Sequence, residues 1–162
     1  MSVEPAERVG ANPAAVIYGV LVVATVVAAE STRRETFAKV LSASVVTLLL
    51  YWVAHAYAHH LGGRLRRPAR WSGSEAVQVL SHESYILAGA ALPLLALAGA
   101  WAAGATLETG VTVVLWTSAI ELVALELTAG LFLHLRLAEL VTEVLVGAGL
   151  GVGILAVRVL LH

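Results

Sequence analysis

The sequence predicts an all-α fold, an integral membrane bundle of about five transmembrane helices. The first observation is composition: the 162 residues are 59% hydrophobic and only 13% charged, against roughly 45–50% and about 25% in soluble domains. The second is a mean hydropathy of +0.87. The third is that the apolar residues gather into long runs separated by short polar segments, and a run of about 20 residues is what a helix needs to cross the hydrocarbon layer. In lipid, backbone groups must be satisfied within the chain, which selects helices for such runs.

The elements follow in order. Residues 1–12 form a polar tail with Glu4, Glu7 and Arg8. With two acids against one Arg, the tail lacks the positive region of a secretory signal, so the first apolar run is expected to stay as an anchor. That run covers 13–29, with Asn12 as N-cap and Pro13 at the first helical position. Glu30-Ser-Thr-Arg-Arg-Glu35 is a polar turn, and the second helix runs over 37–61, where Gly62-Gly63 is expected to stop it. Arg64, Arg66, Arg67 and Arg70 make a basic loop suited to anionic lipid. Trp71 suits headgroup depth, and Ser72-Gly-Ser-Glu75 reads as a capping box. The third helix covers 74–103, longer than a bilayer requires, so its first turns are expected to project or lie in the interface. Pro93 should bend it. Glu108-Thr-Gly110 is a turn, the fourth helix covers 111–135, and Arg136 marks a break. The fifth covers 138–161 and interleaves Gly147, Gly149, Gly151 and Gly153, small residues that let helices approach closely in lipid. Four spans with one interfacial segment is the alternative, that segment being the first run or the start of the third helix.

With five spans, Arg8, the four loop arginines and Arg136 fall on one side, and Arg33, Arg34, Lys39 and Arg158 on the other. The excess of Lys and Arg on cytoplasmic sides then places the N-terminus in the cytoplasm of a multi-pass cell-membrane protein. Net charge of −1 gives no basis for nucleic-acid binding. The absence of Cys removes disulfides, thiolate metal sites and cysteine catalysis, and the absence of Asp removes a paired-aspartate mechanism. There is no His-Glu-x-x-His, no Gly-x-Ser-x-Gly and no phosphate loop.

Against this apolar background stand Tyr51-Trp-Val-Ala-His-Ala-Tyr-Ala-His-His60 and Ser81-His-Glu-Ser-Tyr85. Ionisable residues within a membrane are costly and mark a functional site by default. His55 and His59 are four residues apart and share a helix face, where they can chelate one metal ion. His60 is rotated roughly 100° away. His82 and Glu83 are sequence neighbours and cannot both point the same way. Counted from the expected helix ends, His55 and His82 each lie roughly 11 Å inside. Glu126 falls within a turn or two of that level, with Glu143 nearer the surface. His55, His59, His82, Glu83 and Glu126 are therefore the expected ligands of a divalent metal; imidazole and carboxylate suit zinc, iron or manganese. Each also has a plainer reading, since membrane histidines often only hydrogen-bond between helices. Glu121 is roughly 140° around the helix from Glu126 and need not join them. Glu139 reads as part of a solvated helix start and His134 as a headgroup contact. Tyr57 and Tyr85 are possible hydrogen-bond donors to the layer.

His55-Ala-Tyr-Ala-His-His60 resembles one histidine box of the membrane desaturases and hydroxylases. That family uses several boxes, about eight or more histidines, and this chain has six in all. Ile17-Tyr-Gly-Val-Leu21, Tyr51-Trp-Val-Ala-His-Ala-Tyr-Ala58 and His82-Glu83 resemble a family of small multi-pass integral membrane proteins of unassigned function from high-GC bacteria. That resemblance implies a bacterial inner-membrane location and carries no activity with it. Three functions remain: metal binding at the His/Glu layer for transport or metal-assisted chemistry; a haem or quinone protein using His55 and His82; or a non-enzymatic assembly subunit. In the last, the layer only links helices, and the Gly147 and Gly151 face of the fifth helix docks a homo- or hetero-oligomeric partner.

Overall fold

A computed structural model describes residues 12–29, 35–66 and 73–161, and among them all regular structure is α-helical. The helices are α1 (Pro13–Ala29), α2 (Phe37–Arg66), α3 (Gly73–His82), α4 (Tyr85–Ala102), α5 (Leu107–Phe132) and α6 (Leu137–Leu161). Four contain a segment long and apolar enough to cross a membrane: Phe37–Gly63, Tyr85–Ala102, Leu107–Phe132 and Leu137–Leu160. The fifth apolar helix, α1, has 17 residues.

That short helix occupies the centre. It packs against α2, α4, α5 and α6, and Ala15, Val20, Val23, Ala24, Val27 and Ala28 are shielded almost completely. The residues small enough for this are β-branched valines and alanines. They present no ionisable group to four neighbours. The tightest approach is to α4 and is reciprocal: a methyl group on Gly19 would strike the Ile86 carbonyl, and one on Gly89 the Val16 carbonyl. Only glycine permits backbones this close. The Asn12 cap is present, with its Oδ1 accepting from the Ala15 N–H at 3.3 Å.

Helix boundaries differ from expectation in three places. Gly62-Gly63 does not stop α2, which continues to Arg66. Neither glycine adopts a positive φ, and a helical glycine costs only about 1 kcal/mol relative to Ala. The left-handed glycine is Gly104, φ 71°. There the Ala105 N–H reaches back to the Ala100 carbonyl at 3.0 Å and closes α4 in a Schellman turn. The same closure ends α5, Leu135 N–H to Gly130 carbonyl at 3.1 Å, with His134 in the left-handed position at φ 54°. At its other end α5 starts at Leu107, before the expected turn, because Thr106 Oγ1 accepts from the Thr109 N–H at 3.2 Å. Glu108 thus sits in the first turn, where an acid favours the helix dipole.

The third difference shapes the site. The expected helix over 74–103 is two helices, interrupted at Glu83-Ser84. Ser84 donates its N–H to the Ser81 carbonyl (3.3 Å) instead of continuing the i→i−4 ladder, and its hydroxyl bonds the same oxygen at 2.7 Å. Serine hydroxyls compete with helical hydrogen bonds in this way. The break detaches amphipathic α3 from the span and leaves it packed on α2. Pro93 is buried within α4, which runs on past it.

The glycines of α6 divide by face. Gly147 is held against Leu122 and Glu126 of α5, and Gly151 against Ala119, whereas Gly149 and Gly153 have open space beside them. The face expected to dock another chain through Gly147 and Gly151 is therefore used within the bundle. The N-terminal tail, the 30–34 turn, Trp71, Ser72 and the side chains of Arg64, Arg66, Arg67, Arg70 and Glu75 lie outside the described residues. So do the topology marker arginines Arg8, Arg33 and Arg34.

Candidate functional site: a buried carboxylate clasped by two histidines

The site forms where α4 begins, against the C-terminal half of α2. The inward row of α2 is Val40, Ser44, Leu48 and Ala56, all buried, with Tyr51, Trp52 and His55 half-buried along it. Spacings of three and four residues put this row on one helix face. His55 and His59 continue it toward the helix end.

Opposite them the helix break frees a carbonyl. In an unbroken helix the Leu80 oxygen would accept from the Ser84 N–H; here it accepts the Trp52 indole N–H at 3.2 Å. Trp52 thereby pins the end of α3 to α2, and the turn that follows aims Glu83 at the two histidines. His59 Nδ1 lies 2.9 Å from Glu83 Oε1, and His55 Nε2 lies 3.6 Å from Oε2. The Glu83 side chain is only 2% exposed, whereas those of His55 and His59 are 32% and 63% exposed. A buried carboxylate thus meets two imidazoles that reach out of the bundle. Oε2 has no hydrogen-bond partner among the described residues.

Aromatic rings enclose the inner histidine. The Tyr18 ring of α1 is tilted against His55 with centroids 5.4 Å apart, and Tyr51 stacks on it at 5.8 Å. Tyr18 and Tyr51 are also in contact, at 6.2 Å. The two tyrosine rings flank His55, whose Nε2 faces Glu83, so α1, α2 and the α3–α4 turn all contribute to one cluster.

Of the five expected ligands, the structure brings together His55, His59 and Glu83. His82 is exposed and has no hydrogen-bond or ionic partner among the described residues; the neighbour pair resolves in favour of Glu83. Glu126 lies elsewhere, between α5 and α6, where its carboxyl is in hydrogen-bonding contact with Glu143 and its Cγ fits against Gly147. Among the described residues no set of three or more His and Glu side chains is arranged to hold a metal ion. Tyr57 is exposed and Tyr85 packs against the core; neither serves the site. Tyr18, Tyr51 and Trp52 do. Their signal in the sequence was the spacing of Tyr51 and Trp52 from His55, four and three residues, which places all three on one side of α2.

No family model, curated protein or solved structure matches the chain.

Proposed function

We propose that the chain is a multi-pass integral membrane protein, N-terminus in the cytoplasm, in which Glu83 binds and releases a proton through His59 as part of a transport event. The observation that supports this is the clasp itself. A carboxylate removed from solvent touches an imidazole that remains exposed, and an imidazole can accept a proton on one nitrogen while donating from the other. His59 bridges the outside to Glu83 in that manner, and His55, held by Tyr18 and Tyr51, supplies a second acceptor on the far oxygen. The test is proton flux into liposomes containing the purified protein, read by a trapped pH dye after an imposed pH step. Flux falls to background in Glu83→Gln and slows in His59→Ala. Flux equal to wild type in Glu83→Gln refutes the proposal.

A divalent metal ion is the second reading, and one distance favours it. His55 Nε2 and Glu83 Oε2 stand 3.6 Å apart without a hydrogen bond. Two atoms each about 2.1 Å from a shared zinc ion at a wide angle have a similar separation. Such an ion would have two protein ligands, with His59 orienting the carboxylate as an outer partner. Elemental analysis separates the readings: one zinc, iron or manganese per chain, lost in His55→Ala, supports the metal, and metal-free protein with intact flux supports the proton.

A further inference from the structure

A second polar site lies in the middle of α5, away from the clasp. The helix runs from 107 to 132, so its midpoint falls between Ala119 and Ile120, and Glu121 sits beside it at the centre of a membrane-length span. The buried Oε2 of Glu121 has no hydrogen-bond partner among the described residues. One turn earlier on the same side, Ser118 is fully buried in the inward row of Val111, Val114, Leu115 and Leu122, and its Oγ is likewise without a partner.

Ser118 lacks a bond that five other helical hydroxyls of the chain make. Thr25, Ser44, Thr112, Thr128 and Thr142 each donate to the carbonyl four residues back, at 2.6–2.9 Å. That bond is the usual way for a hydroxyl to satisfy itself in an apolar surround. Ser118 does not make it, although no residue of α5 is more deeply buried. A buried hydroxyl without that bond, one helical turn from a carboxyl oxygen that also has no partner, points to a ligand small enough to lie between packed helices and able to hydrogen-bond to both.

We infer that Ser118 and Glu121 form a second, mid-membrane proton-binding site, in which Glu121 carries the proton and a water molecule links its carboxyl to the Ser118 hydroxyl. Buried waters characteristically satisfy two to four such groups. No counter-charge competes for the position. The helices packed on α5 are α1, α4 and α6. Their titratable groups are Tyr18 on α1, Tyr85 on α4, and Glu139, Glu143 and Arg158 on α6, while α5 itself also carries Glu108 and Glu126. None of them hydrogen-bonds to Glu121 Oε2; Glu143 is taken up by Glu126, and the Glu139 carboxylate by the Arg136 N–H at 3.0 Å. Without a counter-ion, a carboxyl at this depth is retained in neutral form.

The full chain in lipid nanodiscs at neutral pH tests this in two ways. Dicyclohexylcarbodiimide, which partitions into lipid and attacks protonated carboxyls, is expected to label Glu121, as located by peptide mass spectrometry, while a water-soluble carbodiimide leaves it unmodified. Infrared spectra should show a protonated-carboxyl C=O band that is lost in Glu121→Gln. The same band should move to higher frequency in Ser118→Ala, because losing a hydrogen bond stiffens the carbonyl. Both signals persist in Glu83→Gln, which separates this site from the clasp. Absence of label and band in the wild-type protein overturns the inference. A band unmoved by Ser118→Ala removes Ser118 and the bridging water from it.

Discussion

At the scale of single residues, the clasp joins two functions in one hydrogen bond. Among the described residues only His59 meets Glu83 Oε1 at hydrogen-bonding distance, so His59→Ala leaves a buried carboxyl oxygen unpaired. The expected loss is about 1–3 kcal/mol, toward the lower end because the imidazole is 63% exposed and solvent screens part of the interaction. Trp52→Phe keeps the packing and loses the bond to Leu80, an expected loss of about 1 kcal/mol. Reversible unfolding in mixed detergent micelles checks both; a His59→Ala midpoint equal to wild type would mean that Glu83 is satisfied without it. The site was partly legible in the sequence. The four-residue spacing of His55 and His59 determined their shared face, and the structure keeps it. The choice between His82 and Glu83 was not legible, since it depends on the helical phase after position 80, and the two hydrogen bonds from Ser84 to the Ser81 carbonyl alter that phase. Glu126 was grouped with them by depth, and depth along a helix says nothing about which neighbour a side chain faces.

Among the elements, glycine has opposite roles at different positions, and adding one methyl group distinguishes them. Gly19 and Gly89 each meet a carbonyl of the facing helix, which a methyl group would displace. Gly19→Ala and Gly89→Ala should therefore each lower stability by about 1–3 kcal/mol. Gly62 and Gly63 are helical with nothing within 4 Å, so Ala at both should stabilise α2 by up to about 1 kcal/mol per site. The same micelle unfolding series measures all four; destabilisation by Gly62→Ala would indicate a helix end at that point after all. Local chemistry was readable where a side chain acts on its own helix, as Asn12 does at the start of α1. It misled where the same residue type serves two purposes. Gly-Gly was read as a stop in α2, and Glu108-Thr-Gly110 as a turn, although Thr106 and Thr109 carry the capping signal. The first turns of the long third helix were expected to lie outside the span; the structure makes them a separate helix, α3, and the separation from α4 arises at Ser81 and Ser84.

For the whole molecule, the bundle depends on α1, the shortest of the apolar helices and the one touched by α2, α4, α5 and α6. The all-α membrane architecture followed from composition and run length, whereas the central place of α1 was not legible: every span is apolar, and hydrophobicity in lipid does not distinguish an inner helix from an outer one. Small residues do, and 12 of the 17 residues of α1 are Ala, Val or Gly. A chain lacking residues 1–29 should therefore fail to form a monodisperse bundle in detergent, and co-expression of 1–36 with 37–162 should restore it, as judged by size-exclusion chromatography. A monodisperse, fully helical 37–162 fragment would show that α1 is dispensable. The arrangement also sets an order of events during synthesis. As the earliest of the five apolar helices to be made, α1 is complete before the helices that will surround it exist, and with no Glu, Lys, Arg or His it carries no charged side chain while it waits. Glu83, His59 and Glu121 are translated later, when a partly built scaffold is already at hand, so the chain brings its least lipid-tolerant groups into the membrane only after there is something to shelter them.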